Sequence, residues 1–127
     1  MRARGMERKE IVKLEDVFPY VVFYPFEKGS GMKDILGDTI KMDSLRYQLF
    51  KTKGCKCVSC GVEGTYFAKE RNGSDRYHLN LYGKKDGKEV MLTKGRRVDP
   101  AEGAFLENLE PLCELCLGKE QAERAKK

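Results

Sequence analysis

Two Cys-x-x-Cys pairs, Cys57–Cys60 followed by Gly61 and Cys113–Cys116 followed by Leu117, constrain this 127-residue chain more than any other feature. A Cys-x-x-Cys turn aims two thiolates at one cation. Two such turns complete a tetrahedron of four sulfurs, the arrangement of structural rather than catalytic zinc, because no position is left for a reacting water. Gly61 permits the positive φ that a knuckle turn needs, and the second pair opens a stretch rich in Glu, Lys, Gln and Ala that favours helix. A knuckle first and a helix-borne pair last is the treble-clef order, so the expected cofactor is one structural zinc on Cys57, Cys60, Cys113 and Cys116. Two other readings of these cysteines stand beside it: buried small apolar side chains, or two disulfides. The matched spacing within a set of five cysteines favours the metal. Cys55 could replace Cys57 as a ligand, but Cys57 with Cys60 has the tighter spacing, which leaves Cys55 as a spare thiol or a neighbour of the site.

The length suits one domain near the size at which a single core suffices, with a small N-terminal appendage, and zinc would add to the core. The first ten residues hold no apolar leader core, and the longest apolar run, Tyr20 to Phe26 with Pro25 inside it, is far too short for a bilayer. No membrane association and a cytoplasmic location are therefore expected, and there reduced thiols prefer metal to disulfide. The net charge of +5 is unevenly placed: residues 51–97 carry twelve basic against five acidic side chains, whereas residues 98–127 carry four against seven. A basic middle can attract phosphates, or can simply be a solvated face.

Residues 1–10 show no periodicity and are expected to be mobile. Residues 11–26, rich in Val, Tyr and Phe, read as strand, limited by Pro19 and Pro25. Gly37-Asp38 reads as a turn into a short strand, Thr39 to Met42. A helix from Ser44 to Lys53 follows, with Asp43 as its cap and Gly54 as its stop. Thr65 to Lys69, Tyr77 to Tyr82 and Glu89 to Thr93 read as strands, the last two joined by an Asp86-Gly87 hairpin turn. Asp99 opens a loop that runs to Asn108, and residues 113–125 form the final helix.

Four phrases occur in register: Ser44 to Gly54 (SLRYQLFKTKG), Lys56 to Ala68 (KCVSCGVEGTYFA), His78 to Gly83 (HLNLYG) and Asp86 to Lys94 (DGKEVMLTK). Together they resemble the HNH endonucleases encoded by large bacteriophages, over about residues 38–117. The resemblance implies an α+β fold: a treble-clef, HNH-like (ββα-metal) zinc domain at residues 38–127 behind a small N-terminal α/β extension at residues 1–37. It also implies a phage gene. In that family an Asp-His pair follows the strand, the His as general base and the Asp as cation ligand. Here those positions hold Gly95 and Arg96, and a guanidinium does not accept a proton at working pH. The family's middle Asn matches Asn108, and its last motif residue, a metal contact, is Leu117. His78, the one histidine in the chain, matches a histidine additional to the catalytic one and is expected to be structural rather than a relocated base.

The expectation is therefore a catalytically inactive HNH-like protein, not an enzyme, retained as a zinc-bearing binding module for a host protein such as RNA polymerase, a defence nuclease or a replication factor. Arg96 and Arg97 are the candidate partner-binding residues, because they place positive charge where the chemistry was, while the acidic tail makes the old cleft a poor match for a phosphate backbone. The aromatics Tyr20, Phe23, Tyr24 and Phe26 are the next candidates. The alternatives are a sequence-tolerant DNA- or RNA-binding protein using the basic middle, or an HNH endonuclease with residual or altered activity.

Overall fold

A computed structural model describes residues 7–23, 31–73, 76–99, 101–103 and 105–125, with the side chains of Arg96 and of several residues near the end of the last helix outside that description. The protein is a mixed α+β structure with antiparallel sheets. In chain order its elements are β1 (Glu7–Val12), β2 (Met32–Ile35), β3 (Asp38–Lys41), α1 (Leu45–Lys53), β4 (Gly64–Arg71), β5 (His78–Lys85), β6 (Lys88–Arg97), β7 (Leu109–Cys113) and α2 (Glu114–Ala125). Five strands make one antiparallel sheet in the order β1-β4-β5-β6-β7, and β2 and β3 make a separate hairpin.

Register assigns the two faces of the main sheet. Phe67 lies opposite Leu81, which lies opposite Leu92, so these share one face with Val12 and Val90; all are buried and, with Tyr47 and Phe50 of α1, Ile35, Ile40, Met42 and Leu112, form the core. The ring of Tyr47 meets Phe67 edge-on at 6.2 Å. The other face is polar yet also closed. Glu70, fully buried, accepts from Arg8 Nε at 2.7 Å, from Asn80 Nδ2 at 2.8 Å and from the Tyr82 hydroxyl. Arg8 continues to Glu89 through two bonds of 2.8 and 2.9 Å. Each buried polar group here has its partner, the condition under which such a network is tolerated.

The N-terminal part departs from its expected form. The strand lies earlier, at Glu7–Val12, and residues 14–16 and 18–20 are short 3-10 turns rather than extended chain. Pro19 in the second turn has the fixed φ such a turn accepts. Residues 7–10, expected to be mobile, pair with β4, because Arg8 and Glu10 meet Glu70 and Lys69 of the neighbouring strand. Tyr24, Phe26 and residues 1–6 lie outside the described residues. The hairpin of β2 and β3 is held to the main sheet by Lys69, whose fully buried ammonium donates to the carbonyls of Ile35 and Leu36 and pairs with Asp38 and Glu10 at 2.9 and 2.7 Å.

α1 is capped by Ser44, not Asp43: Ser44 is extended at φ −68° and ψ 140°, and its carbonyl accepts the first helical bonds from Tyr47 and Gln48. Gly54, at φ +97°, stops the helix as expected. The hairpin turn at Asp86-Gly87 takes φ of +53° and +77°, the mirror-image turn that Asp-Gly favours. The loop expected to reach Asn108 ends in a 3-10 turn at residues 106–108, and β7 follows it as an edge strand, the position in which Pro111 is tolerated. Among the described residues no helix is long and apolar enough to cross a membrane.

Candidate metal centre

The two cysteine pairs arrive from separate parts of the chain. Cys57 and Cys60 sit in the turn between α1 and β4, closed by Gly61 N donating to Cys57 O at 2.9 Å, with Gly61 at φ +83°. Cys113 ends β7, and Cys116 lies in the first turn of α2. Val58 N donates to Pro111 O at 3.0 Å, docking the knuckle onto β7. In each pair the amide three residues on faces the first sulfur at 3.5 Å: Cys60 N to Cys57 Sγ, and Cys116 N to Cys113 Sγ.

All four sulfurs lie within 4.8 Å of one another. A tetrahedral zinc with Zn–S bonds of about 2.3 Å separates its sulfurs by about 3.8 Å, and the Cys60–Cys113 sulfur separation is 3.7 Å. The donor set and its dimensions therefore fit a metal ion such as zinc, and this cluster has no histidine or carboxylate in it. The electrostatics point the same way. Burial acts to raise all four thiols, and Cys113 and Cys116 do end above the ordinary value, but hydrogen bonds bring Cys57 and Cys60 below it. At Cys57 the amides of Cys60, Cys113 and Ser59 outweigh burial and bring it down to about 6, whereas burial, with neighbouring sulfur charge, pushes Cys113 up to about 12. Four thiolates this close repel one another, and a divalent cation relieves the conflict. The Lys85 ammonium beside Cys60 is raised by that sulfur's charge; nothing in the residue spacing pointed to this neighbour.

Cys55 is outside the cluster. Its half-buried thiol faces the Phe50 carbonyl at 3.9 Å and is pushed up to about 11 by burial and by the charge of Glu63.

The segment matched to the nuclease Asp-His pair lies where β6 bulges away from β7, between Thr93 and Arg96. Gly95 has φ +69°, and its amide donates to Thr93 Oγ1, which in turn donates to Leu112 O, both at 2.9 Å. A Cβ at Gly95 would overlap the Glu110 carbonyl oxygen and stand 2.8 Å from the Leu112 amide nitrogen. Position 95 is thus occupied by neighbouring backbone, with no space for a ligand-bearing side chain. Arg96 pairs with Glu110 through the backbone, and its side chain lies outside the description; Arg97 is exposed and donates to the Glu102 carbonyl at 3.1 Å. Asn108, buried, donates to the carbonyls of Asp99 and Gly103 and accepts from Asp99 N, all within 3.1 Å, so it staples the loop after β6. Leu117 packs its partly buried side chain against the core. His78 is exposed at the start of β5, opposite Glu70.

No protein-family model, curated protein or solved structure matches this chain.

Proposed function

We propose that this protein is a zinc-stabilised, catalytically silent module on an HNH-like treble-clef scaffold, of phage origin, that works by binding a host protein. The observation that carries the reading is Gly95. In a nuclease of this type the strand must deliver a cation ligand at position 95 and a base at position 96. Here the first of these positions is a positive-φ glycine pressed against Glu110 and Leu112, and the second is arginine. The order of knuckle, hairpin β5–β6, β7 and cysteine-bearing α2 supports the scaffold, and the cysteine cluster supports the zinc.

Charge use favours a protein partner over a nucleic acid. Of the basic side chains that make residues 51–97 positive, Lys69 is buried between Glu10 and Asp38, and Arg71 pairs with Glu7. Less of that charge is left to meet phosphates than the sequence total implies. A tagged, zinc-loaded chain should retain one host protein stoichiometrically from a bacterial lysate, with retention that survives nuclease treatment and moderate salt. Retention that vanishes with nuclease or rises and falls with ionic strength alone would favour the nucleic-acid reading instead.

A further inference from the structure

The four sulfurs are not equally placed. Cys57, Cys113 and Cys116 are buried, at 2%, 0% and 6% exposure, whereas Cys60 is exposed at the outer side of the knuckle. Its sulfur lies 3.7 Å from that of Cys113, across the junction between knuckle and helix-borne pair. We propose that Cys60 is an oxidation site, through which hydrogen peroxide or a related small peroxide converts the metal centre into a Cys60–Cys113 disulfide and releases the cation. This rests on the four cysteines holding a metal.

In the first step the Cys60 sulfur attacks the peroxide. An S–O bond forms, the O–O bond breaks, and hydroxide leaves; sulfur loses two electrons and the peroxide gains them, giving a sulfenic acid. In the second step the Cys113 thiolate attacks that sulfur. The S–S bond forms, the S–O bond breaks, and the departing hydroxide takes up a proton as water. Two of four donors are consumed, and the remaining pair, Cys57 and Cys116, no longer makes a closed site. Accessibility decides the first step, because oxidation of cysteine is selective for sulfurs that the oxidant can reach; Cys113, 3.7 Å away on the other segment, is the partner assigned to the second. The product would join the knuckle covalently to the β7–α2 corner, the same two segments that the Val58–Pro111 hydrogen bond docks. Cys55, half-buried against Phe50 and outside the cluster, takes no part.

The test begins with metal content, so that failure of the zinc reading is seen before any oxidant is added. Zinc-loaded protein is then titrated with hydrogen peroxide while a colorimetric chelator follows released metal and differential alkylation with peptide mass spectrometry maps the thiols. One zinc should be released per Cys60–Cys113 disulfide, with Cys55 still alkylatable and with thiol reductant plus zinc restoring the starting state. A Cys60→His variant, which keeps a metal ligand but removes the accessible sulfur, should slow release about tenfold. First oxidation at Cys55, a disulfide within either Cys-x-x-Cys pair, or unchanged release from a zinc-loaded Cys60→His protein would each overturn the proposal; if that variant does not take up zinc, the mapping on the parent chain decides.

Discussion

Replacing Gly95 by alanine isolates the feature on which the functional reading depends. Two effects oppose the new methyl group. The backbone at φ +69° is in the left-handed region, where a side chain costs about 1–2 kcal/mol. The methyl would also overlap the Glu110 carbonyl oxygen, and both obstructing groups belong to the backbone of β7, which cannot swing aside as a side chain can. Forcing extra volume into a packed site costs about 1–3 kcal/mol more, so the sum is about 2–5 kcal/mol. Gly87 is the control: it has φ +77° and nothing within 4 Å of its virtual Cβ, so Gly87→Ala carries the first effect alone. Urea unfolding of the zinc-loaded proteins, followed by circular dichroism, should place Gly95→Ala below Gly87→Ala by about 1–3 kcal/mol, with unchanged zinc content. Equal loss at the two positions would show that the β6–β7 bulge yields easily. Position 95 could then accept a ligand-bearing side chain, and the steric argument for lost chemistry would fail.

Three further outcomes follow from the same structure. Lys69→Met should destabilise by about 3 kcal/mol, since it removes a buried cation, leaves the Ile35 and Leu36 carbonyls without their donor, and leaves Asp38 with Lys9 alone; a loss below that of a typical surface substitution in the same urea assay would refute the tie between hairpin and sheet. Burial, and then the bond its hydroxyl donates to Glu89, push the Tyr66 phenol up to about 12, so the folded form holds this proton where an unfolded chain releases it near pH 10. Its contribution to stability is therefore complete below pH 10 and is lost as pH rises from about 10 to about 12; in alkaline absorbance titration the component missing from Tyr66→Phe should titrate near the upper value, and one near pH 10 would contradict this. Chelation of the metal, or Cys57→Ser, should lower the urea midpoint clearly, because the four sulfurs join the knuckle to β7 and α2; a variant as stable as the parent would exclude a structural metal there.

The cysteine pairs, the Asp86-Gly87 turn and the Gly54 stop were legible because each is local: a spacing or a dipeptide specifies the geometry without help from the rest of the chain. β1 was not. Its alternating charges, Arg8 and Glu10, look like a solvated tail until their partners Glu70 and Lys69 arrive from β4, more than fifty residues away. The aromatic run after it reads as strand by composition, yet Phe18 and Tyr20 flank a proline in a 3-10 turn and Val17 alone of that turn region is fully buried. β7 was hidden by Pro111, which an edge strand accepts and a central strand does not. At position 95 the sequence showed only a glycine; that the space beside it is filled by the backbone of Glu110 and Leu112 depends on the bulge, and a bulge is a tertiary fact.

The most direct measurement is cleavage of supercoiled plasmid by protein already shown to carry one zinc per chain, in the presence of magnesium, manganese or nickel. Loss of general-base assistance alone lowers rate about 10²- to 10⁴-fold, and loss of the cation adds further to the barrier, so no conversion above buffer is expected. Metal-dependent nicking that co-purifies with the chain, and that disappears in His78→Ala or Asn108→Ala, would contradict the account and make this protein an enzyme.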